Sequence, residues 1–157
     1  NGVGLAAPQI GENYRVFVID VSTGNEPLNP IVFINPKIIK KSGAVISHEG
    51  CLSFPEAFTD VRRYSDVMVK AMDRNGRSFV LEAKDGSLLA RAIQHEFDHL
   101  DGILFIDHVI NRFEAEEVLK KFNLPPIQIE KLLDEPELEA KIEELLKQKV
   151  KSEEKND

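Results

Sequence analysis

The chain has a single cysteine, Cys51, among 157 residues. No internal disulfide can form, so a reducing compartment is expected, and Cys51 is left as a buried apolar residue, a nucleophile or a metal ligand. Long hydrophobic runs are also lacking: no stretch approaches the ~20 apolar residues that a membrane helix needs. Positive charge is in short supply. The formal net charge is −7, which argues against a general nucleic-acid binder, since displacing counterions from phosphates takes a basic surface. No internal repeat, low-complexity linker or targeting peptide stands out, and the chain starts at Asn1 without an initiator Met. One soluble domain able to bury its own core is expected, with small or peptidic partners and no membrane.

What is present falls into strands first and helices after, which predicts an α+β fold. Residues 15–21 are β-branched and aromatic and read as a buried strand; residues 31–39 read as another, with an edge or kink at Asn35-Pro36. Residues 61–72 alternate around Val67, Val69 and Ala71, and Asn75-Gly76 supplies the turn into residues 78–83, a predicted hairpin. The period then changes. Ser87 is an N-cap for a helix over 88–100, and Gly102 is placed to stop it. A second helix is expected from an Asn111 cap to about Phe122, with Glu114 completing a capping box. Leu138, Ile142, Leu145, Leu146 and Val150 form the stripe of an amphipathic third helix over 136–150, and residues 151–157 read as a frayed end.

The helix over 88–100 carries His95-Glu96-Phe97-Asp98-His99, an HExxH motif. Residues i and i+4 lie one above the other on a helix, so two imidazoles can converge on one metal ion, with Glu96 beside it to take a proton from bound water. Two histidines do not complete a catalytic site, which uses three protein ligands and leaves one position for water. The long metzincin motif would place a third histidine at 105, but Phe105 stands there. Cys51, in the segment EGCLSFP, is the remaining soft ligand, and a thiolate with two imidazoles suits Fe2+ or Zn2+.

Three separated segments, GVGLAAPQ at 2–9, EGCLSFP at 49–55 and QHEFDHLDG at 94–102, resemble the three motifs of peptide deformylases in order and spacing. The similarity runs from about Gly2 to His108 and fades after Asn111. It implies an α+β fold in which mixed or antiparallel sheets surround a central HExxH helix, with further helices at the C-terminus. It also implies removal of the N-formyl group from the N-terminal methionine of nascent polypeptides, with release of formate. Metal ligands would be Cys51, His95 and His99, holding Fe2+, with Zn2+, Ni2+ or Co2+ as substitutes. Glu96 would activate the metal-bound water that attacks the formyl carbon, and the oxyanion would be held by the Gln9 amide, the Leu52 N–H and the metal.

The same resemblance lines a substrate peptide along Val3, Gly4 and Gly50, places its methionine side chain among Val3, Glu49, Leu88, Ala92 and His95, and sets Phe58 at the next subsite. Gly2 and Gly4 could equally be turn residues. Asp98 reads as a solvated acid ahead of a partner to a ligand, Arg63 as an interior partner of Glu49, and His48 and His108 as surface or satisfied polar positions.

Residues 1–111 are expected to form the catalytic domain and 112–157 a C-terminal helical extension. Family members carry several tens of residues before the first motif, so an N-terminal segment is expected to be missing and organellar targeting stays open beside a bacterial cytoplasmic location. From Glu130 onward there are ten acidic and six basic residues, which does not support electrostatic docking at the ribosome. A monomer is expected. The competing readings are a zinc endopeptidase of the HExxH type, which would not need Cys51, and an impaired fragment that only binds metal.

Overall fold

Phe17 and Ile19, alternating with the half-buried Val16 and Val18, point one apolar face of a short strand into the interior. Around this pattern a computed structural model, which describes residues 2–125 and 136–153, builds an antiparallel five-stranded sheet. Its strands are β1 (Gly4–Ala6), β2 (Val16–Ile19), β3 (Ile31–Ser42), β6 (Asp66–Met72) and β7 (Ser78–Ala83), in the order β1-β2-β3-β6-β7. A separate hairpin pairs β4 (Val45–Cys51) with β5 (Phe54–Arg63). Three helices follow: α1 (Leu88–Leu100), α2 (Arg112–Lys121) and α3 (Pro136–Glu153). Short 3-10 turns occupy Ala7–Ile10 and Phe105–His108. The α+β arrangement with antiparallel sheets and a C-terminal helix agrees with the sequence.

The sheet packs its inner face on α1. Phe17 and Phe33 stack at 4.6 Å between ring centroids, and Val67, Val69 and Ala71 continue the face toward Ala90 and Ile93 of the helix. Ser87 caps α1, its side chain accepting from the Ala90 N–H at 3.3 Å, and Gly102 adopts φ 72° just beyond the C-terminus. Gln94 then ties the helix down: its amide donates to Tyr64 O at 2.9 Å and accepts from Tyr64 N at 3.0 Å. A second cluster gathers Cys51, Phe54, Val61 and Phe105 with Ala115 and Leu119 of α2, while α3 lies on β4 and β5.

Several expectations are corrected. The run over 61–72 is not one strand: Val61 and Arg63 end β5 in the hairpin, and β6 begins at Asp66. The corner is stable because Gln94 supplies the hydrogen bonds that a strand partner would have given Tyr64. The proline kink is real, with Asn35 at φ 47° and a register shift between Ile34 and Lys37, but β3 is the central strand rather than an edge. Asn111 caps α2, accepting from Phe113 N at 3.1 Å, yet the Glu114 carboxylate accepts from Thr59 Oγ1 at 2.5 Å and from the Asn111 amide instead of closing a capping box. Helix α3 runs on to Glu153, past the expected fraying point; residues 154–157 lie outside the described residues. No helix among the described residues is long and apolar enough to cross a membrane.

Candidate active site

Cys51 reaches the site by a defect in the hairpin. Gly50 pairs with Phe58, but Cys51 pairs with Phe54, so three residues of β5 bulge out between them, with Glu56 at φ 60°. The bulge bends the strand and aims the thiol inward. His95 and His99 arrive from α1, one turn apart, their rings edge to face at 5.0 Å. The donor atoms of Cys51, His95 and His99 all lie within 4.8 Å of one another, with Cys51 Sγ 3.4 Å from His99 Nε2. Among the described residues this is the group able to hold a metal ion, and its soft thiolate with two imidazoles suits a borderline divalent cation.

The electrostatics of these residues fit such a role. Burial works against a charged Cys51, but hydrogen bonds from His95 and His99 outweigh it and bring the thiol down to about 5. Burial likewise opposes a charged His95, while its bonds to Cys51 and Glu49 raise the imidazole to about 9. The site thus pairs a thiolate with an imidazolium, and a cation entering it would release that proton. His95 Nδ1 donates to Glu49 Oε2 at 3.2 Å, which leaves Nε2 as the ring atom that could face a cation.

Behind Glu49 stands a buried chain of charges. Arg63, 2% exposed, donates through Nη2 to Glu49 Oε2 at 2.9 Å and through Nη1 to Asp98 Oδ2 at 2.6 Å. His108 Nε2 also donates to Asp98, at 2.8 Å. Although burial pushes both carboxyls upward, Arg63 beside Glu49, and His108 with Arg63 beside Asp98, hold them below the usual range. The Arg63–Glu49 pair agrees with the sequence. Asp98 does not: it is no solvated acid but an anchor between α1, β5 and the Phe105–His108 turn. Its two partners lie 35 and 10 residues away in the chain, beyond any local pattern.

Glu96 is 4% exposed, and its Oε2 is buried without a hydrogen-bond partner among the described residues. Burial, helped by the nearby thiolate and opposed by the imidazoles, raises its carboxyl to about 7. Gln9 sits within the first 3-10 turn. The Ala6 N–H donates to its Oε1 at 2.9 Å, which turns Nε2 toward Ser53 Oγ at 3.2 Å and Cys51 Sγ at 3.7 Å. Leu52 lies in the turn between β4 and β5, its side chain 59% exposed.

Glu49, Cys51, His95, Glu96, Gln9 and Leu52 open onto one cavity of about 430 Å3. Val3, Gly4, Glu49, Gly50, Phe58, Leu88 and Ala92 line it, with Gln9, Cys51, Leu52, His95 and Glu96; His99 lies deeper, off the wall. Gly4 is in strand β1 rather than in a turn. Arg91 and His48 also line the cavity and were not anticipated. The spacing 91-95-99 could have shown Arg91, whose guanidinium is tied to Gly86 O at 3.0 Å and Ser47 Oγ at 2.7 Å. His48 faces Phe58 at 5.9 Å on the rim, and nothing local in the sequence signals that.

A family model described as polypeptide deformylase matches residues 1–115. Peptide deformylase 1 of Clostridium perfringens is 53% identical over 108 residues, covering 69% of this chain and 70% of that protein. Peptide deformylase of Thermodesulfovibrio yellowstonii is 49% identical over 122 residues, 78% of this chain and 72% of that one. Among solved structures, a peptide deformylase from Synechococcus elongatus in complex with actinonin superposes with a TM-score of 0.73 at 48% identity, covering 79% of this chain and 67% of that chain.

Proposed function

This chain belongs to the peptide deformylase family, metal-dependent hydrolases that take the N-formyl group from nascent peptides, and we propose that its cavity performs that reaction with the residues that line it. The observation that carries the residue assignments is the convergence of Cys51, His95 and His99 beside a buried, unpartnered Glu96 carboxylate. Cys51, His95 and His99 would hold the cation, Fe2+ with Zn2+, Ni2+ or Co2+ as substitutes. When bound, it supplies Lewis acidity that makes water nucleophilic at neutral pH.

The chain's own groups do the rest. Glu96 takes a proton from the attacking water at its carboxylate and returns it to the departing amine, a task served by a carboxyl near 7. Negative charge developing on the formyl oxygen is met by the Gln9 amide and the Leu52 N–H. The pinned Gln9 Oε1 supports this, because it keeps the donor end toward the thiol. Substrate backbone runs along Val3, Gly4 and Gly50, the methionine side chain enters between Val3, Glu49, Leu88 and Ala92, and Phe58 borders the following residue.

Residues 1–111 carry the chemistry. Within the extension over 112–157, α2 braces it, placing Ala115 and Leu119 in the cluster that holds Cys51. We place the protein as a monomer in the cytoplasm, acting on formyl-methionyl nascent chains without ribosome docking through its acidic tail.

The deciding assay is formate release from formyl-Met-Ala-Ser under anaerobic conditions, with acetyl-Met-Ala-Ser as control. A methyl in place of the formyl hydrogen crowds the reacting carbon, so kcat/KM should fall by roughly 100-fold. Equal rates on the two peptides would remove the assignment. Gln9→Leu keeps the size of the side chain and deletes the donor. It should lower kcat by about 100-fold with little change in KM, because the lost bond forms chiefly in the transition state. A change confined to KM would instead make Gln9 a ground-state contact.

A further inference from the structure

Gly4 stands opposite Ile19 in β1, and it is not among the glycines with positive φ. Its backbone conformation is open to any residue, so the chain does not need a glycine there for its turn or its twist. Space imposes it instead. A Cβ at Gly4 would lie 2.7 Å from both Cγ and Cδ of Glu96, and closer still to Oε1. Carbon atoms in contact sit ~3.5–4.0 Å apart, so the Glu96 side chain rests directly on the bare backbone of β1. Little else holds it: Oε2 has no hydrogen-bond partner among the described residues. Nor can it swing aside freely, being 4% exposed. Gly2 makes the contrast, since a Cβ there would meet Leu52, a rim side chain 59% exposed with solvent to move into.

We infer that Gly4 is a positioning residue for Glu96, fixing by shape alone where the proton-transfer carboxylate stands. This rests on the role given to Glu96 above. Any side chain at position 4 displaces the carboxylate by a fraction of its own length, and misplacement of about 1 Å suffices for a loss near 100-fold.

The test compares Gly4→Ala in two backgrounds, wild type and Glu96→Ala, each purified anaerobically with metal. In the wild-type background, metal content should stay at the wild-type level, kcat should fall about 100-fold with KM nearly constant, and the thermal midpoint should drop. In the Glu96→Ala background the new methyl fills space that the carboxylate has left. The same substitution should then leave the midpoint unchanged or raise it. The midpoint comparison needs no activity, so a wild type that releases no formate would defeat the role of Glu96 while still measuring the contact. If Gly4→Ala alone does not fold but the double variant does, the contact is equally established. The inference is overturned by an unchanged kcat, by a rise in KM alone, by loss of metal, by equal midpoint losses in both backgrounds, or by failure of both variants to fold.

Discussion

Glu96→Gln should keep its metal and lose about 1000-fold in formate release, roughly 4 kcal/mol of transition-state stabilisation. The amide has the outline of the acid, so the contact with Gly4 and the surrounding packing survive. What disappears is the ability to accept a proton from water and return it to the leaving amine. Metal should remain because the converging donor atoms belong to Cys51, His95 and His99, with Glu96 outside that group. Elemental analysis and formate release on the same preparation separate the two effects. Turnover within a few fold of wild type would mean that another group moves the proton.

Cys51→Ser should have the opposite signature, with metal content falling well below one per chain and activity falling with it. The wild-type thiol is brought down to about 5 by its two histidines, so at neutral pH it offers a charged, soft donor. A serine hydroxyl offers neither the charge nor the softness. The substitution is small enough to leave the packing against Phe54 and Phe105 nearly intact, so metal loss can be read apart from unfolding. A zinc endopeptidase of the HExxH type would retain both metal and activity without this sulfur. A fully metallated, active serine variant, prepared anaerobically beside the wild type, would rule out the ligand set. The same thiolate makes the wild type vulnerable to peroxide, since oxidised sulfur is a poorer ligand.

The sequence carried the helical half of the site openly. HExxH announces itself because the i, i+4 spacing is a property of one helix, and Ser87 and Gly102 mark that helix at both ends. The sulfur half was visible only as an identity. Nothing local shows that β5 bulges opposite Cys51, because Pro55 and Glu56 break the alternation by which strands are read. Asp98 was misjudged for a related reason. On a helix surface an acid facing away from the histidines reads as solvated, and only the long-range return of Arg63 and His108 buries it. Gly4 was legible as a glycine but not as a space, since the Glu96 that fills the space lies 92 positions further along.

Cys51 belongs to the cluster of Phe54, Phe105 and α2, whereas His95 and His99 stand on the helix whose Ala90 and Ile93 belong to the five-stranded sheet. Each cluster is a small packing unit, and the donors of one site are divided between them. A cation held by all three is therefore a cross-link, closing a long loop of chain much as a disulfide would, but one that can be withdrawn. Its binding free energy becomes part of the folding free energy, because no such site survives in the unfolded chain. A core substitution such as Val61→Ala in one cluster or Ile93→Ala in the other should therefore weaken cation binding together with the fold.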